Sequence, residues 1–120
     1  MKVTVAELLD ARAAIEQLIK EDIPLMTAVR VRRLANQLTP ELEAIQQSRA
    51  ALFKKFGEQD GDKIEVPPDR IADFQVEYKP FLRTEVEVVA ALIPLSCFDS
   101  IPRTPEIEME LAGIFPFLEG

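Results

Sequence analysis

The sequence predicts a mainly α fold with a small β element (α+β): an antiparallel helical hairpin with one long kinked helix, then a short strand, a third helix, a second short strand and a short C-terminal helix. Three observations predict it. From Val31 to Phe56 apolar residues recur in steps of three and four, the longest periodic stretch in the chain. Asp22-Ile23-Pro24 separates it from a shorter periodic stretch by a connection that suits antiparallel neighbours. Lys63 to Val66 and Thr84 to Val88 instead alternate polar and apolar, the period of a strand.

Thr4 suits a helix N-cap, with Glu7 placed to return a bond to its backbone and Val3 to pack on Leu8. The first helix runs to about Lys20, with Leu8, Ala11, Ile15, Leu18 and Ile19 on its apolar stripe. Ile23 before Pro24 ends it, because a residue before proline is pushed toward an extended conformation. The second helix spans residues 25 to 56, with Val31, Leu34 or Ala35, Leu38, Leu42, Ile45, Leu52 and Phe56 on one face and Arg49 as the gap.

Pro40 argues against continuity, since its ring meets the carbonyl of Asn36 at a cost of roughly 3 kcal/mol. Thr39-Pro40-Glu41 would also serve as a fresh start. Leu38 and Leu42, however, lie four apart and keep the stripe in phase, so the helix is predicted to be continuous and kinked, about 48 Å long. The first helix, about half that length, is predicted to cover only the part before Pro40.

Gly57 is predicted to close the long helix in a left-handed conformation, after Lys54 and Lys55 in the last turn. Glu58 to Asp62 is a polar turn and Lys63 to Val66 a strand. Pro67-Pro68-Asp69 opens a third helix with Ile71, Phe74, Tyr78 and Phe81 or Leu82 at helical spacing, kinked or ended by Lys79-Pro80. Its aromatic stripe is predicted to pack on the distal half of the long helix. Thr84 to Ile93 reads as a strand pairing with Lys63 to Val66. The chain is then irregular to Arg103, and Thr104-Pro105-Glu106 starts a helix through Leu111 that Gly113 ends. The tail IFPFLEG either tucks into the helices or is an adhesive end.

A chain of 120 residues fits one domain, 1–120, made of a hairpin (1–57) and an acidic half (58–120). Net charge is −7, unevenly placed: nine Lys or Arg face seven acids in residues 1–56, and five face fourteen in residues 57–120. That asymmetry favours head-to-tail or intramolecular contact and argues against direct nucleic-acid binding. The longest apolar run, VVAALIPL at 88–95, is broken by Pro94 and falls short of the roughly 18 residues of a membrane span. The N-terminal stretch MKVTVAELLDA lacks an apolar signal core, so a cytoplasmic location is expected. A lone Cys97 suits the same reducing compartment.

The helix ending in Ile23-Pro24 before the basic segment to Arg33, LTPELEAIQQSRAALFKKFGE at 38–58, KIEVPP after the acidic turn, DFQVEY, TEVEV and IPL at 93–95 occur in this order over almost the whole chain. In these motifs it resembles a family of small uncharacterised proteins encoded by tailed bacteriophages and prophages. Pro80 in the third helix and the stretch PRTPEIEMELAGIFPFLE depart from that pattern. The resemblance implies a phage origin and expression in the cytoplasm of a bacterial host. It carries no catalytic residues to this chain.

The inventory also disfavours an enzyme. There is no histidine, no phosphate-cradling glycine loop, and no base beside Ser48, Ser96 or Ser100. Asp60, Asp62 and Glu65 imitate part of a calcium loop, but Ile71 stands where the twelfth-position glutamate belongs. Glu85 and Glu87, or Glu106, Glu108 and Glu110, are carboxylate groups of a solvated edge. No cofactor or metal is expected. The leading expectation is a non-catalytic phage structural or assembly accessory that holds another phage protein, or itself as a homo-oligomer, through the long helix and the apolar tail. Its candidate interaction residues are Arg30, Arg32, Arg33, Leu42, Ile45, Leu52, Phe56, Phe115 and Phe117. Without a partner, Arg30, Arg32 and Arg33 are an ordinary solvated helix face. The alternative is a host-directed inhibitor, an anti-defence protein whose acidic half imitates nucleic acid.

Overall fold

A computed structural model describes residues 1–120, apart from the side chain of Asp60. A short strand β1 (Lys2–Thr4) leads into α1 (Val5–Leu18), and α2 (Leu25–Phe56) follows. Then come β2 (Glu58–Asp60), β3 (Lys63–Glu65), α3 (Ile71–Arg83), β4 (Glu85–Glu87) and β5 (Ile93–Pro94). A 3₁₀ turn (Leu95–Phe98), α4 (Pro105–Gly113), a second 3₁₀ turn (Phe115–Phe117) and β6 (Leu118–Glu119) complete the chain. The fold is mainly α with small β elements, as the periodicities require.

α1 starts at the predicted cap. Thr4 Oγ1 accepts from the Glu7 amide at 3.1 Å, and Glu7 Oε1 accepts from the Thr4 amide at 2.9 Å, which satisfies two otherwise orphaned donors. α2 passes through Pro40 without a break and spans 32 residues. At about 1.5 Å per residue its length is about 48 Å, matching the molecule's longest dimension of 49 Å. α4 is capped by Thr104, whose hydroxyl accepts from the Ile107 amide at 3.2 Å, with Pro105 in the first turn.

The core centres on α1, which packs against both α2 and α4. Leu8, Ala11, Ile15 and Leu18 of α1 are buried with Val31, Leu34, Leu38 and Ile45 of α2 and Ile107 and Leu111 of α4. Ile19, predicted on the stripe, is half exposed because α1 has ended. An added Cβ at Gly113 would lie 2.7 Å from Ala14 Cβ, so only glycine permits α4 to approach α1 this closely. Buried Thr27 donates from Oγ1 to the Cys97 carbonyl at 2.9 Å and fastens the first 3₁₀ turn, with its buried Phe98, to the start of α2.

The aromatic stripe of α3 lies where expected, on the distal half of α2. Phe74 sits 5.1 Å from Phe53 and 6.2 Å from Phe56, ring centre to ring centre, and stacks on Tyr78 at 5.0 Å. Lys55 of α2 adds an ion pair to Glu77 of α3 at 2.7 Å. Pro80 does not end α3, and Ile71 at its start is exposed rather than on the packed face.

Strand pairing departs from expectation. Lys63–Glu65 pairs not with residues after Thr84 but with Glu58–Asp60, in a hairpin turned at Gly61. Gly61 has φ of 64°, a conformation glycine adopts without strain and two-residue hairpin turns use. The pairing is local and so costs less chain entropy than a long-range one. β4 pairs instead with β1, with Val3 opposite Val86. The residues read as a helix staple are thus also a strand, because Val3 is buried in either role. Residues 88–92 do not continue β4: the Ala91 amide donates to Gln37 Oε1 at 2.8 Å and holds the segment against α2. Ile93–Pro94 pairs in parallel with Leu118–Glu119.

Gly57 is extended, with φ of −91° and ψ of 162°, rather than left-handed. Its need for glycine is spatial: an added Cβ would strike Ile64 and the Phe53 carbonyl.

Candidate interaction groove

Where α1 and α2 run side by side, their outward edges leave an open groove of about 470 Å³. Ile15 of α1, Ile19 just past its end, and Ala35 and Leu42 of α2 give it an apolar floor, and Arg12, Glu16, Thr39, Glu43, Gln46 and Gln47 give it a polar rim. Its size falls within the usual range for binding clefts, roughly 300 to 1,000 Å³. On the α1 side the lining runs from Arg12 to Ile19, and on α2 from Ala35 past Pro40 to Gln47.

The rim is partly organised. Arg12 Nε lies 3.3 Å from Glu16 Oε1 one turn on, which holds both side chains along the edge. Thr39 Oγ1 donates to the Ala35 carbonyl at 2.8 Å, so its hydroxyl is turned to the helix backbone beside Pro40. Gln46 Nε2 is buried and has no acceptor. Three residues further on, Arg49 Nε is also buried without one, while its guanidinium lies 6.0 Å from the centre of the Phe53 ring. A buried donor without a partner is costly.

The structure sorts the residues singled out from the sequence. Leu42 is half-buried on the groove floor, while Leu52 and Phe56 are half-buried beyond it, Phe56 against Phe74 and under Lys55 Nζ at 5.1 Å. Ile45 and Phe117 must be corrected as contact residues: both are buried in the core, Ile45 because the stripe turns inward there and Phe117 because Ile114 and Phe117 fold the tail against the helices. The tail tucks in and leaves only Phe115 exposed among its aromatics. Arg32 and Arg33 are exposed and Arg30 half-exposed on the outer side of α2, outside the lining of the groove, and no carboxylate lies within 4.0 Å of them among the described residues. The groove rim was not foreseen; the i,i+4 pair Arg12 and Glu16 and the polar pair after Ile45, Gln46-Gln47, were the signal for it.

One buried acid stands elsewhere. Glu110 of α4 faces α1 in a second depression with Asp10 and Gln17, and its Oε2 has no partner. Burial raises its pKa above the ordinary 4.5, and the charge of Glu21, a hydrogen bond to Glu21 and the charge of Glu106 raise it further.

Among the described residues, no group of three or more Asp, Glu or Cys side chains is placed to hold a metal ion. The calcium-like reading of Asp60, Asp62 and Glu65 rests partly on a side chain outside the described residues. No helix is long and apolar enough to cross a membrane. Compared with known protein families, curated proteins and solved structures, the chain matches none.

Proposed function

We propose that the chain is a non-catalytic interaction module, a structural or assembly accessory of a tailed phage or prophage, that acts in the cytoplasm of the bacterial host. It holds another phage protein by an apolar segment laid in the α1–α2 groove. The observation that carries this reading is the groove itself: an open apolar floor on two packed helices, with the unpaired Gln46 amide at its edge. Helices packed into a core provide a rigid site, so little ordering entropy opposes docking. The tail contributes through Phe115 alone.

The test is retention of phage proteins by the tagged chain from infected cells, at low and moderate salt, beside a Leu42→Glu variant. Apolar docking is expected to retain a virion or assembly protein at both salts and to lose it in the variant. Retention that Leu42→Glu leaves intact would overturn the groove reading. The acidic half supports the second reading, an anti-defence inhibitor: Glu65, Asp69, Asp73, Glu85, Glu87, Glu106 and Glu108 are all exposed. A host nucleic-acid enzyme retained only at low salt would favour it, since screening weakens charge-led binding.

A further inference from the structure

We infer that this chain associates with a second copy of itself head to tail, the outer face of α4 packing antiparallel on the outer face of the first turns of α2. Two exposed surfaces of the same chain complement each other in charge, apolar content, length and order. At the start of α2, Leu25 and Met26 are 79% and 63% exposed, and Val29 is exposed beside them. Leu25, Val29 and Arg32 recur in steps of four and three, and Met26 and Arg33 lie alongside, so one helix face runs from apolar to basic. Thr27 and Val31 are buried on the opposite side of the helix, which leaves this face to solvent.

α4 presents the inverse. Its buried residues Ile107, Glu110 and Leu111 face inward; Met109 and Ala112 lie on the opposite side, flanked one on each edge by the exposed Glu106 and Glu108, with exposed Phe115 just beyond in the 3₁₀ turn. Met109 and Phe115 are 76% and 70% exposed. α4 contains no basic residue, so this face runs from acidic to apolar. Each face is about 12 to 14 Å long. Opposed antiparallel, Glu106 and Glu108 fall opposite Arg32 and Arg33, and Met109 and Phe115 fall opposite Leu25, Met26 and Val29. A parallel arrangement would place acids against the apolar end and leave the arginines unpaired. Antiparallel opposition also sets the two helix dipoles favourably.

The arginines are without intramolecular carboxylates, so pairing breaks no existing bridge. Exposed apolar side chains rimmed by charge are the usual anatomy of a protein contact. The two surfaces belong to different elements, so the contact is heterologous: each copy offers a free donor face and a free acceptor face, and association continues beyond a dimer unless the rotation closes a ring. One helix pair is a small contact, so the assembly is weak, concentration-dependent and salt-sensitive.

Sedimentation velocity of the purified chain over a range of concentrations tests this, with two charge-reversed variants, Arg32→Glu with Arg33→Glu and Glu106→Lys with Glu108→Lys. All four positions are exposed, and unchanged circular dichroism and melting confirm that the variants fold. The average mass of the wild type is expected to rise with concentration and to fall back with salt. Each variant alone should associate about tenfold more weakly or less. Mixing the two variants should restore association, because each then meets its opposite. A wild type that remains monomeric at every concentration, variants that associate as the wild type does, or a mixture that fails to reassociate would overturn the inference.

Discussion

Glu110 is the residue whose environment most departs from its chemistry. Its carboxyl is buried against α1, and burial, then Glu21 and then Glu106, hold its pKa above the ordinary value. A carboxyl whose folded pKa is raised binds its proton more tightly in the folded chain. The stability this confers is complete below the unfolded value of 4.5 and is lost as pH rises through the higher folded value. Glu110→Gln, which keeps the shape without the charge, is therefore expected to melt higher than the wild type at about pH 7, with the difference shrinking toward about pH 5. A wild type that melts higher than the variant at neutral pH would contradict the burial account. Thr27 is a second buried polar residue, and its bond to the Cys97 carbonyl is its reason for being there. Thr27→Val is expected to cost about 1 to 3 kcal/mol in denaturant unfolding, because it leaves that carbonyl unsatisfied. Neither role was legible in the sequence, where Glu110 read as part of a solvated edge and Thr27 as an ordinary helix member; their partners Glu21 and Cys97 lie 89 and 70 positions away and meet them only after the chain has folded back.

At the scale of elements, the helices were legible and the strands less so. α2 could be read because Leu38 and Leu42 keep phase across Pro40, and periodicity over so many residues outweighs one lost hydrogen bond. Pro40→Ala restores an amide for the Asn36 carbonyl and is expected to stabilise by about 1 to 3 kcal/mol; a lower melting temperature would show that the proline is accommodated without strain. The stripe has two kinds of member. Leu38 is fully buried, while Leu42 is half-buried on the groove floor. Leu38→Ala is expected to cost about 2 to 5 kcal/mol and Leu42→Ala less than half as much, as read from denaturation midpoints. The α4 cap was also legible, since Thr-Pro-Glu binds its meaning within one turn. Strand pairing was not: β1, β3 and β4 are short alternating segments, and alternation specifies a face but no partner. The hairpin with Glu58–Asp60 is the local pairing, and Lys2–Thr4 pairs with β4 where the start of α1 meets the end of α3, the Val5 amide bonding the Thr84 carbonyl.

The whole molecule is elongated. Its radius of gyration is 16.6 Å, against about 14 Å for a compact domain of this length. The excess comes from the distal half of α2, which reaches beyond the core and carries α3 and the β2–β3 hairpin on an aromatic seam of Phe53, Phe56, Phe74 and Tyr78. The sequence held the length of α2 and its aromatic covering, hence the arm. It did not hold the groove, which depends on how far α1 slides along α2, a distance set by packing rather than by either helix alone. The most direct measurement is site-specific photo-crosslinking in infected cells, with the crosslinking residue at Gln47 on the groove rim and, separately, at Val76 on the outer side of α3. The account predicts a discrete crosslink to one phage protein from Gln47, abolished by Leu42→Glu, and none from Val76. A crosslink from Val76 alone, or one from Gln47 that survives Leu42→Glu, would contradict it.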